Sequence, residues 1–507
     1  MFVGRTEYID DLASLWRKTT SSLVACRGRR RIGKSTLIEH FAENTAEVFL
    51  SFEGLPPRKG MTNRDQLDNF GTTLARQTNR SRIVLETWHD AFFWLDKAID
   101  GARRTVILLD EISWMGAYDP DFPGHLKWAW DKLFHKHDKL VMVICGSVSA
   151  WIRHNILDNT GFAGRFSRDY ILPELPLSVC PAFWGPVAEK VSSREMFDVL
   201  SVTGGVPRYL EEIDPALSAE ENIRRLFFTP QGKLFKEFDD MFSAVFGDVA
   251  VTKKSILMAL AAGPKSGAEL AAELGVANTG HFSEHLRSLA DGGFIAADGG
   301  LNPETGKSAR IDRYRLRDNY TRFYLRCVEP RKKEIAVGGY RFASVEQLPG
   351  WDAILGLAFE NLIVNNWPEI LSRIGVGNAI VESAAPYRRT SSDSRKGVQI
   401  DLLVQTPRTV YVVEIKRKNV IGMDVADEVE EKVRRLKLRK GMSVRPVLVY
   451  DGDLDPRLAG CGYFAAAVPP LLPPCNVRRL DLDEFLPREA PGGICGDNER
   501  KRLVRMD

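Results

Sequence analysis

The feature that most constrains the fold is a glycine-rich loop between an apolar segment and an amphipathic one. Residues 23–26 are apolar, and residues 37–41 carry apolar side chains at helical spacing. Between them, residues 28–35 fit the pattern G-x-x-x-x-G-K-[ST], and we call them the phosphate loop. Glycines in such a loop let backbone N–H groups close around phosphate oxygens at the start of a helix. A strand, this loop and a helix together predict an α/β domain that binds a nucleoside triphosphate.

The residues of the phosphate loop have distinct expected roles toward ATP and Mg²⁺. Lys34 is expected to reach the β and γ phosphates, and Ser35 is expected to ligate Mg²⁺. The alternative is a chance match to the pattern, and the strand and helix that flank the loop argue against it. The predicted cofactor-binding residues of this segment are Gly28, Arg29, Arg30, Arg31, Ile32, Gly33, Lys34, Ser35 and Thr36.

A second apolar run, residues 105–109, ends in two carboxylates, Asp110 and Glu111. A short continuous apolar run is typical of a strand that is buried on both faces of a parallel sheet. Asp110 is then expected to hold Mg²⁺ through water, and Glu111 to act as the catalytic residue that polarises the attacking water. The alternative is a pair of solvent-facing charges at the start of a helix.

A third apolar run, residues 140–145, is followed by Gly146 and Ser147. If this run is the next strand of the sheet, Ser147 is expected to lie beside the γ-phosphate as a sensor and belongs to the cofactor-binding set. Ser147 is equally suited to cap a helix over residues 148–156. The sequence leaves both roles open.

Length and composition limit the number of domains, the class of protein and its expected location. At about 100–200 residues per domain, 507 residues predict about three domains. Apolar residues make up 44% and charged residues 27%, the balance of a soluble globular protein. Cysteines are widely spaced and no run of about 18 apolar residues occurs, so we expect a cytoplasmic protein without disulfides or a membrane partner. The net charge is only +3, so contact with DNA would depend on local basic patches.

The middle of the chain has the pattern of a winged helix-turn-helix. Helices are predicted over residues 253–262, 266–274 and 280–292, and a hairpin follows them. Ser266 and Glu269 form a capping box at the start of the second helix. The third helix is the expected recognition helix for DNA. A basic cluster is expected on or near the wing, where it would contact phosphates or, alternatively, only face solvent; its members are Lys307, Arg310, Arg313, Arg315 and Arg317.

The last third of the chain carries carboxylates and a lysine in a pattern that suits a metal site. Asp401 begins one apolar strand, and Glu414 and Lys416 alternate in the next, with a turn that makes the two strands a hairpin. Glu360 lies in an amphipathic helix upstream. Side chains two residues apart share one face of a strand, so two carboxylates and a lysine there can bind Mg²⁺ and stabilise a phosphoryl transition state. The alternative is a hairpin with ordinary surface charges.

Taken together, these motifs resemble those of archaeal-type P-loop ATPases related to initiator and STAND-like AAA+ proteins. The resemblance rests on residues 2–5 and 28–35, the sequence LLDE at 108–111, Gly146 with Ser147, and residues 204–210. The spacing D-x(12)-E-x-K also resembles the PD-(D/E)xK nuclease core, which this ATPase family commonly carries at its C-terminus. One departure is Gln399, which stands where many nuclease relatives have an acidic residue and leaves the number of metal ions open.

The resemblance implies an α/β fold class in three parts: a P-loop parallel sheet with a helical lid, a winged helix, and an α/β restriction-endonuclease-like domain. The implied boundaries are 1–175 for the ATPase core, 176–249 for the lid, 250–330 for the winged helix, 331–490 for the nuclease-like domain and 491–507 for a basic tail. The implied function is ATP-dependent DNA processing. The alternative is an ATP-controlled DNA-binding switch whose last domain is catalytically silent.

Individual roles also follow from the resemblance. Arg208 is implied as a lid sensor of the nucleotide, and Arg165 as an arginine finger for a neighbouring subunit, which implies a homo-oligomer. An ordinary surface arginine is the alternative for Arg165. In the nuclease-like domain, the implied metal ligands are Asp401 and Glu414. Lys416 is implied as the residue that contacts the scissile phosphate or the activated water, and Glu360 as the acid of the helix.

Overall fold

The N-terminal part of the chain is built on a parallel sheet, as its apolar runs predict. A computed structural model describes residues 2–147, 149–246, 250–308, 313–342, 344–391 and 396–469. The first strands are β1 (Ser22–Gly28), β2 (Val48–Glu53), β3 (Thr105–Asp110), β4 (Leu140–Gly146) and β5 (Phe166–Leu172). Their order is β2-β3-β4-β1-β5, and all of these pairings are parallel. The predicted α/β fold with a parallel sheet is confirmed here.

Helices cover both faces of this sheet, which explains why its central strands are apolar along most of their length. In β1, Leu23 and Ala25 join the core on one face, while Val24 and Cys26 join the core on the other. The flanking helices are α1 (Thr6–Ser14), α2 (Lys34–Thr45), α3 (Asn63–Thr78), α4 (Trp88–Asp96), α5 (Ile112–Met115), α6 (Phe122–Lys132) and α7 (Ser149–Ile152). The carboxyl ends of β1 and β3 therefore meet at one edge of the sheet, where the phosphate loop begins.

A helical region follows the sheet and continues without a break in its core into the predicted winged helix. Its helices are α8 (Ser193–Thr203), α9 (Pro207–Leu210), α10 (Ala219–Phe227), α11 (Lys233–Phe246), α12 (Ala250–Ala261), α13 (Gly267–Glu273) and α14 (Gly280–Asp291). The capping box of Ser266 and Glu269 is confirmed at the start of α13. Phe238 of α11 and Leu257 of α12 belong to the same apolar core.

An antiparallel pair of strands, β6 (Ile295–Asp298) and β7 (Arg313–Leu316), follows α14, so the predicted hairpin is confirmed. The expected exposed basic wing, however, is wrong for Arg315, which is buried with its guanidinium 3.0 Å from Asp298. Arg313 pairs with Glu269 at 3.1 Å. Both arginines form ion pairs within the protein, since a guanidinium that is removed from solvent requires an acidic partner. Lys307 is exposed, and Arg310 lies outside the described residues.

The loop between these two strands packs on the C-terminal part of the chain. The backbone oxygen of Leu301 accepts a 2.6 Å hydrogen bond from the Gln405 side chain, and that of Pro303 accepts a 2.9 Å bond from the Arg439 backbone N–H. The hairpin loop is therefore docked against a neighbouring sheet.

The C-terminal sheet has the strand order β12-β11-β10-β9-β8. Its strands are β8 (Ser383–Arg389), β9 (Val398–Gln405), β10 (Thr409–Ile421), β11 (Ser443–Leu454) and β12 (Ala466–Val468). The predicted hairpin is confirmed as the antiparallel pair of β9 and β10, while β10 and β11 are parallel. The remaining helices are α15 (Asn319–Phe323), α16 (Lys332–Ala336), α17 (Trp351–Asn365), α18 (Trp367–Arg373), α19 (Asp424–Arg435) and α20 (Pro456–Gly460).

Helices α17 and α19 cover opposite faces of the C-terminal sheet. Phe359 of α17 packs in one core with Val413 of β10, whereas Val429 of α19 packs in another core with Val412. Side chains at alternate positions of β10 therefore face different helices. Among the described helices, none is long and apolar enough to cross a membrane. The predicted basic tail, 491–507, lies outside the described residues.

A buried ion pair joins the phosphate loop to the segment that follows the hairpin. The guanidinium of Arg29 lies 2.7 Å from the Asp318 carboxylate, and the two side chains are 4% and 0% exposed. A second acid, Glu174, lies 3.9 Å from the same guanidinium. Because a buried charge requires a partner, the sheet domain and the region after β7 depend on each other for stability.

This dependence predicts a large cost when one partner is removed. Asp318→Ala leaves the Arg29 charge buried without its nearest acid, which should lower the free energy of unfolding by about 3–5 kcal/mol in urea titrations. The matched control is Asp68→Ala, since Asp68 pairs with Arg82 at 3.1 Å but both side chains are half exposed. The control should cost about 1 kcal/mol or less. Equal losses in the two variants would contradict the role given to the buried pair.

Candidate functional site

The phosphate loop has a backbone conformation that favours glycine at two positions. Gly28 has a φ of 146° and Gly33 a φ of 86°. A Cβ on Gly28 would lie 2.7 Å from the backbone oxygen of Leu172, so a side chain there would collide with β5. The loop leaves β1, turns under these constraints and enters the first turn of α2, where free backbone N–H groups favour an anion.

Lys34 and Ser35 place their polar groups inside this turn. Lys34 Nζ donates 3.2 Å hydrogen bonds to the backbone oxygens of Gly28 and Arg29. Ser35 Oγ donates a 2.5 Å hydrogen bond to Asp110 Oδ2. The ammonium, the hydroxyl and the carboxylate therefore occupy one small volume at the carboxyl edge of the sheet, as the sequence analysis expected.

A cavity of about 300 Å³ opens over the loop. The predicted residues that line it are Arg30, Arg31, Ile32, Gly33, Lys34, Ser35, Thr36, Asp110, Glu111 and Arg208. Glu53, Trp114 and Phe183, which lie outside the predicted motifs, also line it. Glu53 ends β2 in register with Asp110 on β3, so counting strand ends along the sheet would have found it. No comparable sequence signal marks the two aromatic residues.

Three arginines of the loop have different surroundings. Arg29 turns away from the cavity into the ion pair with Asp318. Arg31 makes a two-pronged contact with Glu237 of α11, at 2.9 and 3.2 Å. Arg30 lies over the ring of Trp114, 5.3 Å from its centre. The side chain of Arg29 therefore packs in the interior, whereas its backbone oxygen contacts Lys34.

Ser147 holds Glu111, an arrangement that the sequence analysis did not consider. Its hydroxyl lies 2.9 Å from both carboxylate oxygens, and its backbone N–H donates a 3.2 Å bond to Oε2. Glu111 is 9% exposed and has a φ of 46°, so its orientation is fixed at both backbone and side chain. Ser147 is absent from the residues that line the cavity.

The cavity has the donor chemistry of a Mg²⁺ site that is completed by phosphates. Burial raises the pKa of Glu53, and the Asp110 and Glu111 carboxylates raise it further, which is a sign of excess negative charge. Within the described ranges, no three His, Cys, Asp or Glu side chains are grouped to hold a metal by themselves. Mg²⁺ commonly takes one or two protein ligands together with substrate phosphates, and Ser35 with Asp110 fits that mode.

The two other predicted arginines, Arg208 and Arg165, differ in whether they line this cavity. Arg208 lines it and pairs with Glu211 and Glu212 at 2.9 Å each. Arg165 does not line it and makes a two-pronged contact with Asp131, at 2.7 and 2.8 Å, which lowers the pKa of that carboxyl to about 2. A role of Arg165 at a neighbouring subunit stays a prediction.

The C-terminal residues singled out in the sequence form one charged cluster. The Glu414 carboxylate is fully buried and lies 2.7 Å from Lys416 Nζ. Asp401 accepts a 2.9 Å hydrogen bond from the backbone N–H of Ile415. Burial, followed by the nearby Glu414 and Glu360 carboxylates, raises the pKa of Asp401 to about 7. We call Glu360, Asp401 and Glu414 the carboxylate cluster.

Two further residues belong to this cluster and were missed. Lys432 of α19 contacts both oxygens of Glu414 at 2.7 Å, and Glu428 contacts Lys416 at 3.0 Å. They are four residues apart in a helix, which is a detectable pattern, but nothing local shows that this helix faces Glu414.

The basic side chains near the end of α19 lie close to acidic ones. Arg434 pairs with Glu430 at 3.0 Å, and Arg435 pairs with Glu431 at 2.8 Å. Arg439 pairs with Glu382 at 3.0 Å. Each of these three arginines is therefore paired with an acid, and for Arg434 and Arg435 that acid stands at helical spacing on the same helix.

Comparisons with known proteins identify relatives in archaea. No protein-family model matches the chain. The uncharacterized protein MJECL04 of Methanocaldococcus jannaschii is 23% identical over 446 residues, which cover 86% of this chain and 92% of that protein. The uncharacterized ATP-binding protein MJ0423 of the same organism is 43% identical over 44 residues, 9% of this chain and 75% of that protein.

Solved structures also resemble the chain. The Walker-type ATPase PABY2304 of Pyrococcus abyssi has a TM-score of 0.45 and 15% identity, and the match covers 64% of this chain and 96% of that one.

The raised pKa of Asp401 predicts a pH dependence of stability. An acid whose pKa is higher in the folded state, here about 7 against an ordinary 3.8, binds more protons when folded, so stability falls as pH rises between those values. In EDTA, Asp401→Asn should therefore lose less thermal stability than the wild type between pH 5 and pH 8. Melting temperatures of both proteins across this range test it, and parallel curves would contradict the assignment.

Proposed function

This chain belongs to the same family as the ATP-binding protein MJ0423 over the 44 residues that the two share, and on that premise we propose that it binds and hydrolyses ATP. The observation that carries the proposal is the geometry of the phosphate loop. Lys34 is held within the loop, and Ser35 contacts Asp110 at 2.5 Å at the mouth of a cavity of about 300 Å³. A loop of N–H groups beside a lysine suits a triphosphate.

The residues that line the cavity have separate roles in the proposed hydrolysis of ATP. Lys34 neutralises the β and γ phosphates, and Ser35 with Asp110 holds Mg²⁺, which when bound offsets the charge that develops on the transferred phosphoryl group. Glu111 polarises the attacking water. The contact with Ser147 orients the Glu111 carboxylate for this task. Arg208, at the rim of the cavity, is positioned to contact the nucleotide from the helical side.

Two substitutions separate binding from hydrolysis. Lys34→Ala removes the cation that faces the phosphates and should abolish tight ATP binding. Glu111→Gln keeps the shape of the side chain but not its basicity, so ATP should bind while the turnover rate falls about 10²–10⁴-fold. Fluorescent-nucleotide titration and phosphate release measure the two effects.

A control variant distinguishes these effects from a general loss of structure. Lys127→Ala removes a lysine that pairs with Asp131 away from the cavity lining, so nucleotide binding should not change. Circular dichroism shows whether each variant is folded. Hydrolysis at the wild-type rate by a folded Glu111→Gln protein would refute the assigned site.

We further propose that the protein processes DNA under the control of ATP, with a metal-dependent nuclease centre at Asp401, Glu414 and Lys416. The support is the charged cluster on the antiparallel strands β9 and β10, where carboxylates and a lysine meet. The carboxylates suit Mg²⁺, and a lysine next to them suits the charge that develops on a phosphodiester. The alternative is a DNA-binding switch in which this cluster is catalytically silent.

The proposed DNA contacts come from the part of the chain that resembles a winged helix. On α14, the recognition helix of this proposal, His281, Ser283 and Arg287 are exposed, and Lys307 is exposed on the adjacent loop. In this proposal residues 1–175 and 176–249 form the ATPase core and lid, 250–330 bind DNA, and 331–490 form the nuclease-like domain. A homo-oligomer in which Arg165 completes a neighbour's ATP site would require Arg165 to leave Asp131.

The nuclease proposal predicts different defects for two residues. Asp401→Asn removes one ligand charge, so metal affinity and DNA cleavage should both fall. Lys416→Ala leaves the carboxylates in place, so metal should still bind while cleavage drops about 10²–10³-fold. Labelled linear, branched and single-stranded DNA, incubated with Mg²⁺ or Mn²⁺ with and without ATP, gives the readout.

ATP hydrolysis serves as the internal control in this experiment. It should persist in both variants because their substitutions lie in a different domain from the phosphate loop. If the wild type cuts none of the DNA forms yet binds them, the regulatory alternative replaces the nuclease proposal.

A further inference from the structure

The Glu414 carboxylate is held by two ammonium groups that approach from different elements. Lys416 comes from the same strand, two residues along, and lies 2.7 Å from Oε1. Lys432 comes from α19 and lies 2.7 Å from both carboxylate oxygens. Glu414 is 0% exposed, so these ammonium groups supply the charge that its burial requires.

The two lysines are in turn linked by a second acid. Glu428 lies 3.0 Å from Lys416 and 2.9 Å from Lys432, which closes a ring of two acids and two bases. Burial alone would raise the pKa of Glu428, but hydrogen bonds from Lys432 and Lys416 lower it to about 2. The ring therefore brings two carboxylates and two ammonium groups into direct contact.

We infer that Lys432 is a positioning residue of the proposed metal site, where its ammonium fixes the Glu414 carboxylate and competes with the divalent cation for it. This inference rests on the proposed function, because it assumes that Glu414 is a metal ligand.

The electrostatic effect of Lys432 has a definite sign. A positive charge within contact distance of a ligand oxygen repels an incoming divalent cation and so weakens its binding. Removing that charge from its contact with both Glu414 oxygens should therefore tighten metal binding.

Calorimetric titration of the full chain with Mn²⁺ at pH 8 tests the inference. Lys432→Gln should tighten the site at Glu414 by about tenfold or more, since unit charges about 4 Å apart interact strongly at partly buried positions. Lys432→Arg keeps the charge and should bind as the wild type does. Lys437→Gln makes the same charge change at an exposed position of the following segment and should have no effect.

Further variants assign the metal to the site and guard against misfolding. The tightening must vanish in Glu414→Gln/Lys432→Gln, because the ligand is then missing. Lys432→Met retains the apolar stem of the lysine and replaces Lys432→Gln if that variant unfolds in thermal melts. A merely structural Lys432 would change the melting temperature but not the Mn²⁺ affinity.

The two ways of failing are distinct. If Mn²⁺ binds at Glu414 in the wild type but Lys432→Gln binds it equally or more weakly, the inference is overturned and the proposed metal site stands. If the wild type and Glu414→Gln bind Mn²⁺ identically, no metal binds at Glu414, and both the proposed site and the inference fail.

Discussion

The buried pair of Arg29 and Asp318 is the interaction on which the arrangement of the chain depends. Burial alone would lower the pKa of Arg29, but the Asp318 carboxylate, together with Tyr209 and Glu174, offsets this and the pKa is raised, so the guanidinium stays charged in the interior. A charge in such a place must be paired. Because Arg29 belongs to the phosphate loop, this pair ties the loop to the segment after β7. The first and later parts of the chain are thus joined at the nucleotide site itself.

The same segment also contacts the C-terminal part of the chain. Asn319, next to Asp318, accepts a 2.8 Å hydrogen bond from Asn361 of α17, and Asn361 follows Glu360 of the carboxylate cluster. Few side chains therefore separate the phosphate loop from the C-terminal cluster. Proximity alone does not transmit a signal; coupling requires that this contact have two arrangements and that the nucleotide favour one of them. The contact between Asn319 and Asn361 is the one that would have to differ between the two arrangements.

Sequence reasoning succeeded where the determinant is local. The phosphate loop, the hairpin of β9 and β10 and the cap at Ser266 depend on residues a few positions apart, and their patterns are visible in the chain. It failed for pairs that only the folded chain brings together. Arg29 was predicted to bind phosphate because its partner, 289 positions away in the sequence, could not be recognised, and Lys432 was missed because its partner is on a strand. In each case, an acid on a different element of the fold determines the role of the basic residue.

Ion pairing within the fold also limits the number of basic side chains that could contact DNA in the proposed function. The net charge of the chain is only +3, and Arg313, Arg315, Arg434 and Arg435 are in addition each paired with an acid. DNA affinity arises largely from cations that displace counterions, with a salt slope of about −0.9 for each neutralised phosphate. A surface that relies on Arg287, Lys307 and a few neighbours would neutralise few phosphates. Binding would then depend weakly on salt, and any preference for a DNA form would have to come from shape and from the fit of α14 to the groove.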